Sequence, residues 1–169
     1  MPRPELISTL RAAADRHLAH TRELVTQSLR FLGIRYKFGG TSPDTGFDCS
    51  GFVRYVVGQA VGLVLPRRAS DISKVGAKVT TDELQPGDLV FFNTQRRPYS
   101  HIGIYVGDQR FIHAPAAGGK VQVVHMGLSY WQSRFDGARR LSLRTGDAAA
   151  IERSATAFES SDSDSMVIE

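Results

Sequence analysis

The chain predicts an α+β domain, and three observations carry that expectation. Apolar residues recur at helical spacing over most of the first sixty positions, five short runs rich in β-branched and aromatic residues follow at hairpin spacing, and Gly, Pro, Asp and Asn punctuate the junctions. At 169 residues there is enough chain for one folded core and too little to require two. A hydrophobic content of 41% with 22% charged residues excludes collagen-like, membrane-embedded and wholly disordered classes.

The elements follow in order. Over 5–31, Leu6, Leu10, Ala13 and Ala14, then Leu24, Val25, Leu29 and Leu32, keep a helical period, and Gly33 stands where the second stretch ends. One long helix or two short ones satisfy this pattern. Gly39-Gly40 and the run TSPDTG are loop chemistry, after which CSGFVRYVVGQAVG resumes a helix. Strands are expected at 89–92, 101–106, 110–114, 121–125 and 141–144, forming an antiparallel sheet of about five strands. From residue 146 onward the Ser/Asp-rich sequence is too polar to bury much, so 146–169 reads as an acidic flexible tail.

Charge separates the tail from the body. Six acids against one arginine give 146–169 a net −5, which leaves +9 for residues 1–145. A basic body attracts anionic partners such as nucleic acid, lipid headgroups or cell-wall carboxylates. No Lys/Arg run interleaved with aromatics and no nucleic-acid motif occurs, so nucleic acid is not expected. No stretch of about 18 apolar residues is present, hence no membrane span is expected, and the charged N-terminus lacks the pattern of a secretory signal. The single cysteine rules out an intrachain disulfide.

That cysteine is the first candidate for chemistry. Asp48 is a good N-cap, which puts Cys49 in the first turn of a helix, where the dipole supplies roughly half a positive charge. Such a position, with an imidazolium nearby, lowers a thiol pKa from about 8.5 into the range of about 3.5–7.5. The Cys49 amide also points out of the helix start, toward a developing oxyanion. Phe52, Val53, Val56 and Ala60 share the helix face of Cys49, so the sulfur is expected to look toward the sheet. A buried structural cysteine fits that face equally well.

The run SHIGIYVGDQRFIHA reads as a hairpin. If Ile112 joins the face of Ile102, Ile104 and Val106, His101 and His113 lie side by side on the other. A two-residue Gly-Asp turn would place them on opposite faces, so the pairing demands an odd loop or a bulge near Gly107 and Asp108. Two adjacent imidazoles beside a thiol suit a relay in which His101 takes the proton and His113 fixes its tautomer. Paired histidines satisfied by backbone or solvent, and a zinc site of Cys49, His101 and His113 with water, are the other readings, although the spacing is no known zinc signature.

Five ordered blocks resemble the NlpC/P-sixty family of papain-like cell-wall cysteine peptidases: RYKFGG at 35–40, FDCSGFVRYV at 47–56, LPR at 65–67, LQPGDLVFF at 84–92 and SHIGIYVGDQRFIHAP at 100–115. The resemblance runs over about 21–141 and implies a papain-like α+β fold, with a nucleophile helix packed on the antiparallel sheet. It implies catalysis by Cys49, His101 and His113, with Tyr36, Asp48, Ser50 and Arg67 contacting substrate, and neither metal nor cofactor. Arg68 is the alternative to Arg67 for meeting carboxylates.

The implied reaction is hydrolysis of an amide in peptidoglycan stem peptides or muropeptides, between γ-D-glutamyl and diaminopimelate or lysine. Ile72 stands where relatives often carry glutamine, a departure from the pattern. A related thiol amidase or acyltransferase, and a non-catalytic wall-binding module, are the rival functions. The expected organisation is a helical extension at 1–20, a peptidase domain at 21–145 and the tail at 146–169. A monomer acting in the cell envelope, periplasmic or secreted, completes the expectation.

Overall fold

A computed structural model describes residues 3–142, so the tail expected at 146–169 lies outside the described residues. The N-terminal segment is one helix, α1 (Pro4–Leu29), opened by proline in its first turn, where the missing N–H costs nothing. It runs unbroken across residue 20. Only Leu24 and Ser28 of α1 are buried, and Leu6, Ile7, Leu10 and Leu18 of its first half are exposed.

A two-residue hairpin, β1 (Thr41–Ser42) and β2 (Gly46–Phe47), leads into α2 (Cys49–Val61). Asp48 caps α2 by accepting from the Gly51 N–H at 2.7 Å, and Gly62, at φ 70°, closes it in the left-handed region. Gly51 is dictated by packing, since a Cβ there would lie 2.0 Å from the Gly40 carbonyl oxygen. The glycines of GFDCSG and KFGG thus let the helix start sit directly on the preceding loop.

After a short helix, α3 (Ala69–Ile72), the sheet begins with β3 (Ala77–Val79), followed by β4 (Leu89–Phe92), β5 (His101–Gly107), β6 (Arg110–His113) and β7 (Gln122–His125). A one-turn helix, α4 (Ser129–Gln132), precedes β8 (Phe135–Arg140). The order is β3-β8-β4-β5-β6-β7, antiparallel throughout. This is the expected α+β architecture, with six strands in the main sheet.

One expected strand is corrected. The last strand is 135–140 rather than 141–144: Leu141 and Ser142 follow the end of that strand, and 143–144 lie outside the described residues. FDGARR has little intrinsic β preference, and its conformation is imposed by pairing with β4 on one side and β3 on the other.

Two apolar clusters sandwich the sheet. Phe52, Val53, Val56 and Val57 of α2 pack on Leu89, Phe91, Ile102 and Ile104. Val90, Phe92, Tyr105, Phe111 and Ala138 point the other way, where Trp131, Phe135 and Met126 cover them. All four residues of β4 are buried, which is why its sequence is continuously apolar instead of alternating. Among the described residues, no helix is long and apolar enough to cross a membrane.

Candidate active site

The β5–β6 hairpin meets the register condition by a bulge. Asp108 and Gln109, both left-handed, form a two-residue turn that pairs Gly107 with Arg110. Continued unchanged, that register would set His113 opposite Ile104, on the face away from His101. A shift between Tyr105 and Gly107 restores the pairing of Tyr105 with Phe111 and Ile104 with Ile112. His113 thereby falls on the face of His101, and Nε2 of His101 lies 2.7 Å from Nδ1 of His113.

Gly103 stands between them on that face. A Cβ there would come within 2.7 Å of the Phe111 ring and 3.3 Å of the His113 Cβ, so glycine leaves the space through which the histidines meet. Both rings are buried, at 3% and 0% exposure. Burial lowers the His101 pKa to about 4, and burial together with neighbouring His101 holds His113 well below the ordinary histidine range. The pair is neutral at pH 7. Because two ring nitrogens are spent on each other, they are not both free for a metal, and among the described residues no cluster of His, Cys, Asp and Glu gathers as a metal site.

Trp131 completes this environment, and sequence reasoning missed it. Its indole stacks on His101 at 5.7 Å and 26° and meets His113 edge-to-face at 5.0 Å. Phe92 and Phe111 close the remaining sides. His113 Nε2 is buried without a hydrogen-bond partner among the described residues, with these aromatic rings around it. Nothing in SYWQ connects it to histidines some twenty or thirty positions upstream; only tertiary packing does. Trp131→Ala is expected to lower activity about tenfold or more and, by rehydrating His101, to move the acid limb of kcat/KM from near pH 4 toward 6.5. A pH–rate profile checks this. Trp131→Phe should largely restore the limb, and an unmoved limb in Trp131→Ala would leave Trp131 a packing residue only.

Cys49 begins α2, as expected, and is partly exposed. The backbone N–H groups of Ile102, the residue after His101, and of Ser50 lie on the side of its sulfur and favour the thiolate. Its ionisation runs against the sequence expectation. Burial, reinforced by the Asp48 carboxylate, pushes the thiol up to about 11, and the two N–H groups and Arg67 offset this only in part. With His101 lowered, the thiol and the imidazole of the resting site are both neutral.

The thiol opens into a cleft of about 570 Å³ whose lining includes Tyr36, Phe38, Arg67, Arg97 and Tyr99, a size suited to a peptide-sized ligand. Burial, Cys49 and Asp48 raise the Tyr36 pKa, so its hydroxyl keeps its proton beside the sulfur. Phe38, at 91% exposure, stands uncovered at the cleft. Asp48, Ser50 and Arg67 form one cluster: Arg67 Nη1 donates to Asp48 Oδ1 at 3.0 Å and to Ser50 Oγ at 2.7 Å, and Nη2 donates to Asp48 Oδ2 at 2.6 Å. The carboxylate is thus engaged by its own chain before any substrate amine arrives. That bidentate bond is the main cause of the raised Arg67 pKa.

Comparison with known proteins places the chain among related sequences and folds. A model of the NlpC/P60 family matches residues 33–140. The chain is 43% identical over 135 residues to a gamma-DL-glutamyl hydrolase of Bacillus subtilis, covering 79% of this chain and 32% of that protein. It is 39% identical to the murein DD-endopeptidase MepH of Escherichia coli, covering 76% and 50% respectively. The chain therefore spans about a third to a half of these relatives. Among solved structures, an NlpC/P60 family protein from Bacillus cereus superposes with a TM-score of 0.67 at 34% identity, over 71% of this chain and 39% of that one.

Proposed function

The chain belongs to the NlpC/P60 family, and from that premise we propose that it is a peptidoglycan endopeptidase hydrolysing a stem-peptide amide between γ-D-glutamyl and diaminopimelate or lysine. The observation that carries the reading is the Cys49 thiol at a capped helix start, opening into a cleft on the side of the amide next to His101, whose ring is backed by His113. Similarity to a gamma-DL-glutamyl hydrolase and to a murein DD-endopeptidase supports both the reaction and the substrate class.

In this reading His101 carries its proton on Nε2, donates to His113 Nδ1, and keeps Nδ1 as the base. As the sulfur attacks the amide carbonyl, His101 takes the thiol proton. The tetrahedral oxyanion is met by the Cys49 amide and the Tyr36 hydroxyl. Collapse expels the amine, which receives the proton from His101 and leaves a thioester on Cys49. Water, deprotonated by His101, then attacks the thioester, and the thiol takes its proton back as the carboxylate is released. His113 orients the base, and Asp48, Ser50 and Arg67 bind the stem peptide. The protein acts as a monomer in the cell envelope, periplasmic or secreted, with domain limits of 21–145.

Mass spectrometry of products from defined muropeptides tests this. A new amino terminus on diaminopimelate or lysine is the expected result. Opening of D,D cross-links would reassign the bond, and release of the intact stem from sugar would mark an amidase. No product from any muropeptide would leave a wall-binding module.

A further inference from the structure

A second pocket of about 390 Å³ lies beside the catalytic cleft, and its lining includes Ser70, Ser73, Lys74, Lys78, Tyr99 and Arg139. Three cations line it and no acid does; Lys74 is paired with Asp71 at 3.8 Å outside the lining, which leaves Lys78 and Arg139 without an ion-pair partner among the described residues. Two observations indicate that this positive charge awaits a partner. In the β3–β8 pairing Lys78 stands directly opposite Arg139, an arrangement of like charges that destabilises a strand pair. Arg139 is also only 8% exposed, yet makes no ion pair with any described residue.

Its hydrogen bonds show what is left over. Nε donates to the Ser73 carbonyl at 2.5 Å and Nη1 to the Ala138 carbonyl at 2.8 Å, while Nη2 has no bond to a described residue. The adjacent Arg140 provides the contrast, with Nε and Nη2 each 2.9 Å from an oxygen of Asp88. Arg139 Nη2 is not among the buried atoms that lack a partner, so it remains open to an incoming anion on a residue otherwise almost wholly covered.

Ser70 and Tyr99 line both the pocket and the catalytic cleft, so one ligand can occupy both. Tyr99 is held for that position. Its φ of 56° is unusual for a tyrosine, and its N–H is fixed to Asp136 Oδ2 at 2.8 Å. Asp136 is the extra residue of the β4–β8 bulge, which turns its carboxylate toward this loop. The Arg139 guanidinium lies 5.6 Å from the Tyr99 ring centroid.

We propose that this pocket is an anion subsite binding a free carboxylate of the stem peptide whose scissile amide lies at Cys49, with Arg139 and Lys78 as its ligands. The inference rests on the peptidase reading above. A carboxylate, with its two oxygens, suits one guanidinium nitrogen and one ammonium from facing strands, and continuity with the cleft makes the substrate its source.

The test compares two muropeptides, one with its stem carboxylates free and one with them amidated, titrated by calorimetry into the full-length Cys49→Ala protein. The free acid is expected to bind at least about tenfold more tightly, the size of one charge-assisted hydrogen bond. Lys78→Met in that background should bring the ratio toward one. Arg139→Met should do the same, but Arg139 is buried; Lys78 is exposed on an edge strand and decides the matter if the arginine variant does not fold. Equal binding of the two muropeptides, binding of neither, or a ratio unchanged by Lys78→Met would overturn the subsite. Inorganic phosphate bound in a Lys78-dependent manner, with the muropeptides bound alike, would also overturn it and assign the pocket to phosphate. Cleavage by the wild-type protein is read separately: its absence alongside an acid preference would sink the peptidase reading and leave the subsite standing.

Discussion

Cys49→Ala is expected to remove muropeptide hydrolysis, lowering kcat/KM by about 10⁴-fold or more, while changing folding stability by no more than about 1 kcal/mol. The two effects separate because the sulfur carries the reaction, whereas at the edge of the core alanine gives up only one partly buried atom. Cys49 is partly exposed, and its helix is held by Asp48, Gly51 and the buried side chains from Phe52 to Val57, none of which the substitution touches. No other cysteine exists in the chain to substitute for it. Cys49→Ser keeps the shape but offers a far weaker nucleophile to a base with a pKa of about 4, so it too should be close to inactive. The measurement is turnover of a defined muropeptide beside a thermal melt. Retained hydrolysis in Cys49→Ala would end the thiol mechanism, and a collapsed melt would make the cysteine structural after all.

Much of this site was legible in the sequence, because it is built from local signals. Asp48 and Cys49 announce a capped helix start, and strand alternation limits where His101 and His113 can meet. The alternation could say only that some bulge had to exist; placing it at Val106 depended on a turn of Asp108 and Gln109 rather than Gly107 and Asp108. What escaped depends on distant chain. The strand at Phe135–Arg140 is polar and glycine-containing, and forms because β4 and β3 flank it. Trp131 reaches the histidines only through the fold. The expected low thiol pKa failed for a related reason: a helix start can be read locally, whereas the degree to which the folded chain withdraws a sulfur from water cannot.

That desolvated neutral pair leads to a second large effect, for His101. His101→Ala is expected to cost as much as loss of the nucleophile, about 10⁴-fold, because a thiol with a pKa near 11 is almost entirely protonated at pH 7 and attacks only if a base removes its proton during the step. His113→Ala should be milder, about 10- to 100-fold, since a neutral imidazole orients the base but contributes no negative charge. The same ionisations fix the pH dependence. With His101 near 4 and Cys49 near 11, the active protonation state persists between those values, so kcat/KM should be broad and flat, with its acid limb near pH 4. A thiolate–imidazolium pair would instead make Cys49 alkylate readily at neutral pH. Here alkylation by iodoacetamide should be slow at pH 7 and accelerate above pH 9. Acid also threatens the fold, because histidine titrates near 6.5 when unfolded and near 4 at His101 when folded; stability is full above that window and falls as pH drops through it. Circular dichroism at each pH separates the two. Fast alkylation of wild-type Cys49 at pH 7, or an acid limb near 6.5 with the fold intact, would replace the neutral pair with a preformed ion pair.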